Sequence, residues 1–187
     1  MIAENQLNNF SMIARLFGNL WYRSPTDPIL ADVFAWLQQN GLSELWPLTT
    51  DLASEQALAS IQMRVDLTAL DNEYQRLFVN ENALVNTKIS AYQLDVVEFI
   101  NFRQMRGMHD VQNEDHFALL LLTASWIEDN VDSVVAQREL FERFLLPCAS
   151  KFLPQVEAKA NLPFYKALAI LCKDILAAMA DELDEAL

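Results

Sequence analysis

The stretch NEDHFALLLL, residues 113–122, places Glu114, Asp115 and His116 directly against an apolar run. His116 is one of only 2 histidines. The other, His109, lies one short loop earlier beside Asp110. Imidazole nitrogens and carboxylate oxygens are the ligands zinc and manganese take. Two histidines and two aspartates could hold such an ion and activate a water, which would make the chain a small metal-dependent hydrolase. The same residues have a plainer use. Asp115 at a helix start would accept hydrogen bonds from the first-turn N–H groups and sit at the positive end of the helix dipole. His116 would then be a partly exposed first-turn residue. Residue type favours the cap, because Asp is among the preferred N-caps. A cap can also fix the edge of a groove.

Little else in the chain could do chemistry. There is no glycine-rich phosphate loop, no G-x-S-x-G and no H-E-x-x-H. A serine or cysteine nucleophile would need one of the two histidines within hydrogen-bond reach. Cys148 and Cys172 stand in apolar, helical surroundings without C-x-x-C spacing, so they read as reduced core thiols. No catalytic set, metal-ligand set or cofactor is expected. Trp21, Tyr22, Trp36, Trp46, Tyr74, Phe78, Tyr92 and Trp126 mostly fall at core spacing. Trp46, beside Pro47 in a connector, is the one expected at the surface. Glu128, Asp129 and Asp132 form an acidic cluster that reads as a solvated turn, or more sharply as a site for arginine-rich peptides.

The elements that position these residues are helical. Phe10, Ile13, Ala14, Phe17, Leu20 and Trp21 recur at steps of three and four, which predicts a helix over 5–23. SPTDP at 24–28 ends it, and Thr26 or Asp27 caps a second helix that stops near Gly41. ELWPL at 44–48 reads as a connector, and Asp51 or Ser54 opens a third helix. Residues 66–79 form a fourth. NENALVNTKIS, 80–90, loses periodicity and is the candidate hinge between an N-terminal half (1–79) and a C-terminal half (91–187). Helix is expected again over 91–106, to Gly107, then over 114–129 as the central buried helix, and over 132–146, 147–159 and 162–182. The last carries Phe164, Leu168, Leu171, Ile175 and Met179 inward. The sum is one all-α domain of about eight or nine helices.

Composition agrees. Of 187 residues 52% are hydrophobic, enough to bury a sizeable core, and only 3 glycines and 6 prolines are present, too few for the turns of an all-β fold. The formal charge of −13 argues against a nucleic-acid partner and against anionic membrane surfaces, and favours a basic segment of another protein. No run reaches membrane-spanning length, and MIAENQLNNF lacks the features of a secretory signal. A reduced, cytoplasmic protein without stable membrane insertion is expected.

Two motifs resemble a known family. EYQRLFV, 73–79, is similar to the Y-x-x-L-F-(V/I)-G-P segment of the TorD/DmsD family, and NEDHFALLLLTASWIED, 113–129, to that family's P-x-D-H-I-G-x-x-L segment. NNFSMIARLFGNLWYRSPTDPIL (8–30), WPL (46–48) and FLLP (144–147) resemble its YcdY-type branch. The resemblance implies a TorD-like helical fold whose halves join at a hinge, as a monomer or a domain-swapped dimer. It also implies a cytoplasmic, non-enzymatic chaperone for molybdenum-cofactor enzymes. Such a chaperone binds a client precursor by its twin-arginine leader or apo body and holds it until the cofactor is loaded. Tyr74, Leu77 and Phe78 fall in the first motif, Asp115 and His116 in the second, and with Trp46 they are the expected client-binding residues. The chain departs from the pattern at Asn80-Glu81 in place of Gly-Pro, at Asn113 in place of proline and at Phe117-Ala118 in place of Ile-Gly. These departures admit another client, a cytosolic zinc-dependent hydrolase.

Overall fold

The computed structural model describes residues 8–186. Residues 5–7 of the first expected helix lie outside them. Every regular element among the described residues is helical. In chain order these are α1 (Asn8–Tyr22), α2 (Ala31–Gln38), α3 (Gly41–Leu45), α4 (Leu52–Ile61), α5 (Leu67–Tyr74), α6 (Val96–Gln104), α7 (Phe117–Trp126), α8 (Val134–Leu140), α9 (Leu146–Lys159) and α10 (Pro163–Glu185). Short 3-10 turns cover Pro28–Leu30 and Ile89–Tyr92.

The stripe Phe10, Ile13, Ala14, Phe17, Leu20 and Trp21 is buried, and α1 lays it across α7. The crossing is close: a Cβ added to Gly18 would stand 2.8 Å from the Leu122 side chain and 3.3 Å from the Ala118 carbonyl oxygen. A buried contact between the Ser11 and Ser125 hydroxyls, 2.9 Å apart, fixes its register. α4 packs on α10, which also receives α9. The described residues on either side of the 80–90 segment are therefore interleaved, α1 against α7 and α4 against α10. α7 is apolar on nearly all sides, as a central helix must be, with Phe117 to Leu121 buried. Aspartates 27, 51, 66 and 95, and Ser133, accept first-turn N–H groups and start their helices.

Gly41 does not end α2. Asn40 takes the left-handed turn, at φ 60°, and Gly41 opens α3 because the Trp36 indole lies where a Cβ would stand. The connector expected at 44–48 thus begins inside a short helix. The helix expected over 91–106 starts at Val96, since Gln93 is left-handed and Asp95 is the cap. The boundary expected between the helices at 132–146 and 147–159 is not an interruption, and Pro147 stands in the first turn of α9. α8 runs through a π-helical segment, Phe141–Leu145, straight into α9. Two more π segments, Gln75–Val79 and Ile127–Val131, extend α5 and α7.

Residues 80–88 form no helix but are well tied. Val85 is buried and its N–H donates to the Leu77 carbonyl at 2.9 Å. Lys159 Nζ donates to the Leu84 carbonyl at 2.7 Å. The Tyr92 hydroxyl donates to the Asn86 carbonyl at 2.6 Å, and the Phe117 N–H to the Thr87 carbonyl at 2.8 Å.

Candidate functional site

The two motifs meet at the end of α1. The Tyr74 hydroxyl donates to the carbonyls of Tyr22 (3.0 Å) and Trp21 (3.3 Å), which α1 leaves without helical partners at its C-terminus. Burial, with lesser contributions from Asp71 and Tyr22, pushes the Tyr74 phenol up to about 12, so it stays a donor. Trp21 meets Phe78 (5.9 Å), Phe117 (6.2 Å) and Phe152 (5.2 Å) edge to face. Leu77 and Phe78 lie on the π segment that follows α5, and both are buried. That segment's wider turn brings adjacent residues inward together. Beside it, the buried Glu73 carboxylate accepts Arg76 Nε at 2.9 Å and the Asn161 and Leu162 N–H groups. It thereby fixes the α9–α10 corner to α5.

His116, not Asp115, caps α7. Its Nδ1 accepts the Ala118 N–H at 3.0 Å, and its ring meets Tyr22 edge to face at 5.2 Å. An imidazole can accept at Nδ1 only when that nitrogen is unprotonated. Burial, opposed by the nearby Asp115 charge, lowers the His116 pKa to about 4, so it is neutral near pH 7. It is buried where a partly exposed residue was expected. Asp115 is half-exposed and turned the other way, accepting the Ser90 N–H at 2.9 Å on Oδ1 and the Ser90 hydroxyl on Oδ2. The pair thus does two jobs: one residue starts the central helix, and the other pins the 3-10 turn to it.

The structure gathers Tyr74 and Phe78 with Trp21 in one aromatic cluster, sets His116 on Tyr22 at its edge and buries Leu77, so most of their surface is spent on packing. Trp46 belongs elsewhere. Its ring packs on Phe17, one turn along α1 from Trp21, at 6.3 Å. It is half-buried with its indole N–H shut away from solvent, against the expectation of an exposed ring. The more exposed tryptophan is Trp126, at 36%. Trp46 lines a cleft of about 470 Å³ with Leu48, Thr49, Asp51, Ser54 and Asp174, and the Ser54 hydroxyl donates to Asp174 Oδ2 at 2.5 Å. The motifs gave no signal for this cleft. Its two sides lie 120 residues apart.

Among the described residues no three His, Cys, Asp or Glu side chains gather to hold a metal. His109 is exposed and Arg103 approaches only its carbonyl, at 3.5 Å. Cys148 and Cys172 are free and buried, and burial pushes both thiols up to about 12. No described helix is long and apolar enough to cross a membrane.

No family model matches the chain. It is 64% identical, over 98% of its length and all of the relative's, to a Haemophilus influenzae protein described only as uncharacterized. It is 36% identical to the Escherichia coli chaperone protein YcdY, over 96% of this chain and 98% of that one. It is 29% identical to the Tat proofreading chaperone DmsD of Salmonella typhimurium, over 92% and 89%. The named relatives are chaperones, and the class that the all-helical fold and these relatives define is a chaperone and not an enzyme. The chain belongs to the TorD/DmsD family, on its YcdY-type branch.

Proposed function

We propose that this protein is a cytoplasmic chaperone for the precursor of a cofactor-containing enzyme. It binds the precursor's leader or apo body, holds it while the cofactor is loaded, and releases it. A molybdenum-cofactor enzyme is the first client class, as the family resemblance implies. The reading is carried by Asp115. It is a half-exposed carboxylate held by Ser90 where α1, α7 and the 80–92 segment converge. An arginine of the client could replace Ser90 as its donor with a stronger, charge-assisted bond. Val79 (54% exposed), at the end of the π segment, and Leu84 (40%), in the middle of the 80–88 loop, supply apolar surface for other client residues.

The test is titration of a full-length client precursor, and separately of its synthetic leader, against wild type and Asp115→Asn. His116 is unsuitable for this purpose because its loss removes the α7 cap. Asp115→Asn should weaken binding of the full-length precursor about tenfold with little change in melting temperature. Unchanged binding of the precursor would remove Asp115 from the client site. A second reading follows from the altered 80–90 sequence, in which the client is a cytosolic zinc-dependent hydrolase. Saturable binding of that enzyme, with none of the leader, would select it.

A further inference from the structure

Two depressions on the face of α10 share Ala177. One is the Trp46 cleft, whose carboxylates are Asp51 and Asp174. Asp51 caps α4 through the Ser54 N–H, and Asp174 accepts the Ser54 hydroxyl. Among the described residues neither carboxylate has a cationic partner within 4.0 Å. The other is a groove of about 390 Å³ between α9 and α10, floored by Ala149, Leu153 and Leu176, with Pro154 and Lys173 at its rim. Its lining is mostly apolar and its floor is buried, whereas Ala177 is exposed. An acidic compartment and an apolar one therefore adjoin at Ala177, an exposed residue that lines both. Each is large enough for several side chains.

We propose that this face of α10 is a second docking surface for an extended client segment, with a basic side chain in the Asp51–Asp174 cleft and the following apolar side chains in the α9–α10 groove. Charge selects the occupant. A second copy of a chain carrying −13 would bring its own excess of carboxylates to the acidic cleft. A basic-then-apolar segment matches both compartments in order. The proposal rests on the chaperone reading above but places client contact on a different face from Asp115.

The probe is a synthetic peptide of two arginines followed by leucines and alanines, titrated calorimetrically into the full chain. Two companions replace the arginines by glutamine or the leucines by serine. Wild type should bind the parent peptide more weakly as salt rises, and each companion about tenfold more weakly than the parent. Asp51→Asn with Asp174→Asn keeps the Ser54 hydrogen bonds and removes the charge. Ala177→Arg fills the exposed junction and brings a cation of its own. Each should weaken the parent peptide about tenfold at unchanged melting temperature, while Asp115→Asn leaves it as it is. No binding by wild type, or binding that survives both α10 variants, overturns the proposal. Loss of peptide binding in Asp115→Asn alone also overturns it, and leaves the Asp115 site standing. Loss of client binding in Asp115→Asn, with peptide binding lost only in the α10 variants, supports both.

Discussion

Glu73 and His116 are both buried and both polar, and their partners decide what each can tolerate. Glu73→Gln keeps the shape but presents an NH₂ group or a neutral oxygen to Arg76 and to the Asn161 and Leu162 N–H groups. A loss of about 2–3 kcal/mol is expected, read as a lower urea midpoint at unchanged slope. His116 gives a pH signature. Its folded pKa, about 4, lies below the ordinary 6.5, so the unfolded chain binds the proton more readily. Its contribution is complete above about pH 6.5 and is lost as pH falls toward 4. At pH 5 the deficit is on the order of 2 kcal/mol. His116→Asn supplies a capping oxygen that does not titrate. The stability gap between wild type and this variant should therefore shift toward the variant between pH 7 and pH 5, in parallel urea titrations. The sequence marked 115–116 as a helix start, yet the capping residue lies one position later than Asp type suggested. Asp115 is taken by Ser90, 25 residues away, and that pairing has no local signature.

Elements were legible where one face carries the whole pattern. Phe164, Leu168, Leu171, Ile175 and Met179 of α10 are all buried at the expected spacing. Asp27 and Asp51 were readable as helix starts for the same reason, since a cap acts on its own first turn, whereas Asp95 was not. Two features were not. The helices expected over 132–146 and 147–159 form one run, since the change from π to α spacing falls just ahead of Pro147, at a first-turn position where a missing N–H costs little. Gly18 carried no expectation at all, because its role comes from α7, about a hundred residues on. Gly18→Leu should force Leu122 and the Ala118 backbone away from α1. A cost of about 1–3 kcal/mol is expected, which in a chain of this size lowers the melting temperature by about 2–4 °C per kcal/mol. Calorimetry reads it directly.

The expected division near 80–90 frames a prediction for the whole molecule. If the two halves were independent, urea would release them separately. The pairing of α1 with α7 and of α4 with α10 ties them together instead. Unfolding followed by tryptophan emission and by far-ultraviolet circular dichroism should trace one coincident transition. Two resolved midpoints would show that the halves are separable units. Exchange of halves between copies would require release of the bonds that hold Leu84, Val85 and Thr87, and a slow, concentration-dependent dimer in size-exclusion chromatography would report it.

The same interleaving bears on how the protein is made. Ser11 waits for a partner 114 residues downstream, and Ser54 for one 120 residues downstream. At about 5–20 residues per second, the apolar faces of α1 and α4 stay uncovered for roughly 6–24 seconds on the ribosome. For that interval the nascent chaperone displays the kind of unfinished surface it is proposed to guard in its clients, and it needs shelter of its own before it can give any.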